Sequence, residues 1–150
     1  MKSFKIIFLL LVSVLFLSCV KKNEPVTKSE ILQSTTWMVE SAQASGYLSG
    51  LVYQRGKTAE GSQYDMSKIR VTFYADGKVS AIDNTGNAQT SGKWLLSDNE
   101  TKINISSAGN DLLNGIGLIE VLTTSNFTFS GERTYQGQSV KATIKMIPAL

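Results

Sequence analysis

The sequence predicts an all-β fold, an eight-stranded antiparallel up-and-down barrel preceded by a short N-terminal helical turn. Three observations predict it. Short runs alternate between apolar and polar residues with period two, as where Ile69, Val71 and Phe73 interleave with Arg70, Thr72 and Tyr74. Turn chemistry separates the runs, at Ala75-Asp76-Gly77 and again at Asn84-Thr85-Gly86-Asn87. No crossover helix interrupts the runs after Trp37, so sequential neighbours pair antiparallel, and eight of them can close without leaving an exposed edge.

The chain opens with Lys2 and Lys5 ahead of an apolar run from Ile6 to Leu17, broken by Ser13. A bilayer span needs about 20 apolar residues, and this run is shorter and meets polar sequence at once, so it reads as a removable secretory leader over residues 1–18. Its end, Leu17-Ser18-Cys19, holds the sole cysteine of the chain. The segment resembles the lipobox of bacterial lipoproteins, with Phe16 where Leu is common. That resemblance implies a diacylglyceryl thioether on Cys19, cleavage before it and acylation of the freed amine. Stable anchoring takes about two acyl chains, which such a group supplies. Val20 follows the cysteine, and the lack of Asp there favours an outer-membrane address, on the periplasmic side or at the surface.

Without the leader the charge falls. Lys2 and Lys5 go with it, so 15 − 2 leaves 13 basic side chains against 12 acidic, and 150 − 18 leaves 132 residues, the size of one domain with one core. A nearly neutral chain without a basic, aromatic-laced patch is not expected to bind nucleic acid. With its one cysteine lipidated it makes no internal disulfide, and a monomer is expected.

Residues 19–29 are polar, with Pro25, and read as a tether. The barrel domain then occupies residues 30–150. Ser29-Glu30-Ile31-Leu32-Gln33 suits a helical turn capped by Ser29. A first strand runs from Trp37 toward Gly46, with Trp37, Val39 and Ser41 sharing a face. Gly46 to Ser67 reads as a long loop, glycine-rich yet carrying Tyr47, Leu48, Leu51, Val52, Tyr53 and Tyr64; loops of that length are often functional.

Lys68 to Ser97 forms a meander. A three-residue Ala75-Asp76-Gly77 loop pairs Phe73 with Val79 and Val71 with Ala81 on the inner face, leaving Ile82 outside opposite Arg70; a two-residue loop would exchange the faces. The third run of the meander begins at Gly92. Lys102 to Ser106 alternates as a further strand, and Asp111-Leu112-Leu113 suits a helical turn in the connection that follows. Ile116 to Thr123 is apolar enough for a strand buried on much of both faces. Asn126 to Gly131 carries Phe127 and Phe129 on one side, and Val140, Ala142, Ile144 and Met146 alternate up to Pro148.

Thr72-Phe73-Tyr74-Ala75-Asp76-Gly77, Ser91-Gly92-Lys93-Trp94, Leu122-Thr123 with Phe127, and Met146-Ile147-Pro148 together give the region from Trp37 to Pro148 a pattern that resembles the lipocalin-like domains of small bacterial lipoproteins. The resemblance implies an eight-stranded barrel with an internal cavity. The lipocalins proper carry Gly two residues before an N-terminal Trp, where this chain has Thr35, a departure that bears on the transfer of their transport function and not on the barrel.

The chain has no histidine, which excludes triads built on His and histidine metal sites. Most carboxylates fall at turns, where Asp bonds its own backbone. Glu120, between Ile119 and Val121, is read as facing outward. No cofactor, metal or enzymatic activity is expected. Trp37, Phe73, Trp94, Phe127 and Phe129 form a ring of aromatics that either fills the barrel or lines a cavity. The expected function is binding of a small apolar or amphipathic molecule, with Tyr47, Leu51, Tyr53, Phe73, Trp94, Phe127 and Phe129 as the candidate contacts and the long loop as a lid. The alternative is a protein-interaction module with a filled barrel, an inhibitor or an assembly accessory.

Overall fold

The structure is a computed structural model, and it describes residues 26–46, 49–57, 65–106, 108–135 and 137–150. The leader, Cys19 and most of the tether lie outside the described residues, as do Tyr47, Leu48 and Tyr64.

Among the described residues the chain folds into a closed eight-stranded antiparallel barrel with one short helix. The elements are α1 (Lys28–Gln33), β1 (Thr36–Gly46), β2 (Gly50–Gln54), β3 (Arg70–Phe73), β4 (Lys78–Ile82), β5 (Ala88–Ser97), β6 (Lys102–Ser106), β7 (Gly115–Leu122), β8 (Phe127–Tyr135) and β9 (Gln138–Pro148). Each strand from β3 onward pairs with the next, and β9 returns to β1 from Trp37↔Pro148 to Gly46↔Val140.

Nine strands make eight staves because β2 and β3 lie end to end. Both run antiparallel to β1 along the same edge, β3 against Thr36–Met38 and β2 against Ser41–Ala44. β2 ends at Gln54 and β3 begins at Arg70, which leaves a gap in this one stave. The expected long loop is thus partly wall, and Val52 and Tyr53, buried in β2, are barrel side chains. Beside the interruption β1 carries a bulge, with Val39 opposite Met146 and Ser41 opposite Lys145, so that Glu40 is the extra residue. The bulge shifts the alternation. Ala42 and Ala44, not Ser41, follow Val39 into the core. Arg55 bridges the gap, its amide donating to the Glu40 carbonyl at 2.8 Å and its Nε to the Val39 carbonyl at 2.8 Å.

The β3–β4 hairpin has the register its turn residues dictate. Phe73 pairs with Val79, Val71 with Ala81 and Arg70 with Ile82, and Ile82 is exposed. Gly77 takes φ 78°, which a side chain would strain. Three boundaries differ from expectation. α1 is capped by Thr27, not Ser29, because Glu30 stands three residues on and closes a capping box. β5 begins at Ala88, ahead of Gly92. β8 runs on to Tyr135 and forms a hairpin with β9. β7 is not buried on both faces: Gly117 faces inward while Ile116, Leu118 and Val121 are exposed. Glu120 is exposed, at a bulge between Ile119 and Val121.

Candidate functional site

The interior divides into two halves. At the end beside α1, inward residues of several strands are aromatic and touch one another. Phe127 stacks on Phe129 at 4.9 Å between centroids and meets Trp37 and Phe73 edge-on at 5.7 and 6.1 Å; Phe73 meets Trp94 at 5.4 Å. Edge-to-face and offset contacts at these distances are the favoured geometries of π systems. The indole of Trp37 donates to the Leu32 carbonyl at 2.9 Å, tying α1 across the barrel end, and that of Trp94 donates to the Tyr74 carbonyl at 2.9 Å. Trp37, Phe127 and Phe129 have no accessible surface at all. A void wide enough for water would appear as surface on the side chains around it, so these three pack against protein on every side.

Toward the far end the wall becomes small. The register sets Gly131 beside Ala142 and Ala142 beside Ala44. Gly117 lies close against Gly131, since a Cβ on Gly131 would come within 3.3 Å of its Cα. One large side chain uses the space. Arg133 is 4 % exposed and points inward in the same parity as Phe127, Phe129 and Gly131. Its guanidinium lies 5.8 Å from the Phe129 ring centroid. Cβ atoms on Gly115, Gly117 and Gly131 would stand 3.4, 3.2 and 2.8 Å from its terminal nitrogens, so glycine at these positions is what makes room for the cation.

Arg133 holds the connection between β6 and β7 in the barrel end. Its Nε donates to the Leu112 carbonyl at 3.1 Å, and its Nη1 to the carbonyls of Ile116 at 2.7 Å and Glu132 at 2.8 Å. The segment so held is a turn built by Asn110, whose side chain accepts from the Leu112 amide at 2.9 Å, and by Asn114, which accepts from the Ala108 amide at 2.8 Å. Ala108, Leu112 and Leu113 are buried by it. Burial pushes the Arg133 guanidinium below its ordinary pKa, with the neighbouring Glu132 carboxylate opposing that shift. Among the described residues the ion pairs are Lys78–Asp76, Lys102–Asp98 and Lys145–Glu40, and none involves Arg133. Three carbonyl dipoles meet the buried charge in place of a carboxylate.

Of the candidate contacts, Phe73, Trp94, Phe127 and Phe129 are brought together in the aromatic half. Tyr53 lies inward from β2 beside Ala42, its phenol pKa raised by burial, and Leu51 is half-buried. Tyr47 and Cys19 lie outside the described residues. Arg133 was not among the candidates, although its parity with Phe127 and Phe129 in one strand is a signal that places it inside. Among the described residues no three His, Cys, Asp or Glu side chains gather as a metal site would require, and no helix is long and apolar enough to cross a membrane. No protein-family model matches the chain, and no curated protein matches it.

Proposed function

We propose that the protein is a lipoprotein anchored through Cys19 to the bacterial outer membrane, and that its barrel works through its outer surface as a monomeric interaction module. In this reading it is neither an enzyme nor a carrier. The supporting observation is the sealed aromatic half, where Trp37, Phe127 and Phe129 contact only protein. A carrier spends its interior on its ligand, whereas here that volume is already spent on packing.

Two measurements test the reading. Mass spectrometry of the membrane fraction is expected to find an acylated N-terminal Cys19, and Cys19→Ala to release the protein; an unmodified soluble wild type overturns the anchor. The emission of Trp94, whose indole sits at the rim of the aromatic cluster, is expected to show no saturable change with a panel of fatty acids, sterols and pigments. A saturable change lost in Tyr53→Ala would favour a second reading, binding of a small amphipathic molecule. The observation behind that reading is the far half, walled by Ala44, Ala142, Gly117 and Gly131 beside Tyr53, where a ligand would need the 108–114 turn to lift.

A further inference from the structure

Among the described residues, the strands with large exposed apolar side chains are β4, through Ile82, and then β5 and β7. Leu95 is 65 % exposed, Ile116 58 %, Leu118 49 % and Val121 44 %. They belong to one face. Leu95 and Ile116 both pair with Asn104 of the intervening β6, so they stand on one row, about 10 Å apart at two strand spacings, and Leu118 follows opposite Lys102. The other side of the barrel, β9 and β1, turns Lys141, Thr143, Lys145, Ser41 and Gln43 outward and has no such side chain.

The chain enters the domain at this face. Lys28, the first residue of α1, donates its ammonium to the Glu100 carbonyl at 2.7 Å in the β5–β6 turn, and Ser29 shares a surface hollow with Leu95, Leu96 and Glu100. From Cys19 to Thr27 there are 27 − 19 = 8 residue steps. Even fully extended they span at most about 29 Å. A lipid on Cys19 therefore keeps the β5–β6 rim close to the headgroups.

Resting on the lipoprotein reading above, we propose that the outer face of β5, β6 and β7 is the surface that lies against the phospholipid bilayer. Leu95, Ile116, Leu118 and Val121 sit among the headgroups and upper acyl carbons, where apolar side chains gain by leaving water. On this side Lys102 pairs with Asp98 and Lys78 with Asp76, each at 2.6 Å, while the exposed Lys93 and Glu120 are of opposite sign, so contact does not require anionic lipid. The β9–β1 side then faces away from the membrane, free for partners.

The lipidated protein in phosphatidylcholine vesicles tests this directly, because a thioether on Cys19 leaves the wild type without a free thiol. Leu95→Cys and Ile116→Cys, labelled with an environment-sensitive fluorophore, are expected to shift to the blue and to lose about half their intensity when bromine is carried on the upper acyl chains. Gln43→Cys and Lys141→Cys are expected to stay water-exposed. If the Leu95 and Ile116 labels remain quenchable by aqueous iodide while wild type does not label, the orientation is overturned and the anchor stands. If wild type labels at Cys19, the anchor falls, and the orientation with it.

Discussion

At the α1 end the barrel is shut by stacked rings and one indole hydrogen bond, whereas at the far end it is shut by a turn of backbone tied to a buried guanidinium. The first closure depends on volume and shape. The second depends on three carbonyls meeting one cation at hydrogen-bonding distance. The difference teaches where the molecule is stiff: interlocked rings open only with the whole core, while a turn held by a few polar contacts is the kind of segment that opens locally at lower free energy.

Phe127→Ala gives the largest expected effect. It removes a ring in contact with Trp37, Phe73 and Phe129, and a buried Phe→Ala change costs about 3–5 kcal/mol, to be read as a fall in the urea midpoint. Arg133→Met keeps much of the side-chain volume but strips donors from the carbonyls of Leu112, Ile116 and Glu132. Leaving such groups unbonded costs about 1–3 kcal/mol. Hydrogen exchange is expected to quicken across residues 108–114 and not around Leu32 and Trp37. Equal quickening at both ends would erase the distinction between them.

The smallest effect sharpens the comparison at the α1 end. Thr27→Ala removes an N-cap, a loss of about 1 kcal/mol, and should fray α1 while the ring contacts persist. The capping box also has a pH signature. The Thr27 amide and hydroxyl, bonded to Glu30 at 2.7 and 2.9 Å, hold its carboxyl below the ordinary carboxylate range. A carboxyl lowered on folding stabilises above its ordinary pKa, and that contribution is lost as pH falls through the folded value. The urea midpoints of wild type and Glu30→Gln are therefore expected to differ near neutrality and to converge on acidification.

Much of the wall was legible in the sequence, because strand period and turn chemistry act locally. Ala75-Asp76-Gly77 alone sets the register of β3 on β4, down to the exposed Ile82. What escaped depends on contacts distant in sequence. β2 reads as loop because its five residues follow glycine-rich sequence, and only the free edge of β1 makes them a strand. The bulge at Glu40, which sends Ala42 inward in place of Ser41, answers to β9 more than a hundred residues away. β7 looked doubly buried because its outward residues are as apolar as a core, and composition does not distinguish a buried face from one turned toward something outside the chain. Arg133 carried the right parity, yet the glycines that make room for it sit on β7 as well as its own strand.

The pairing of β1 with β9 sets an order of events. Trp37 meets Pro148 and Gly46 meets Val140, and the Ala149 amide donates to the Thr36 carbonyl at 2.7 Å, so among the described residues β1 finds a partner along nearly its whole length in β9 alone. Contacts this remote in sequence are slow to form, because a long loop must close before any of them is made. A chain delivered N-terminus first holds an open sheet until β9 arrives. Losing that last strand would do more than shorten the protein: it would leave an unpaired edge along the whole of β1, ready to take up a strand from another molecule.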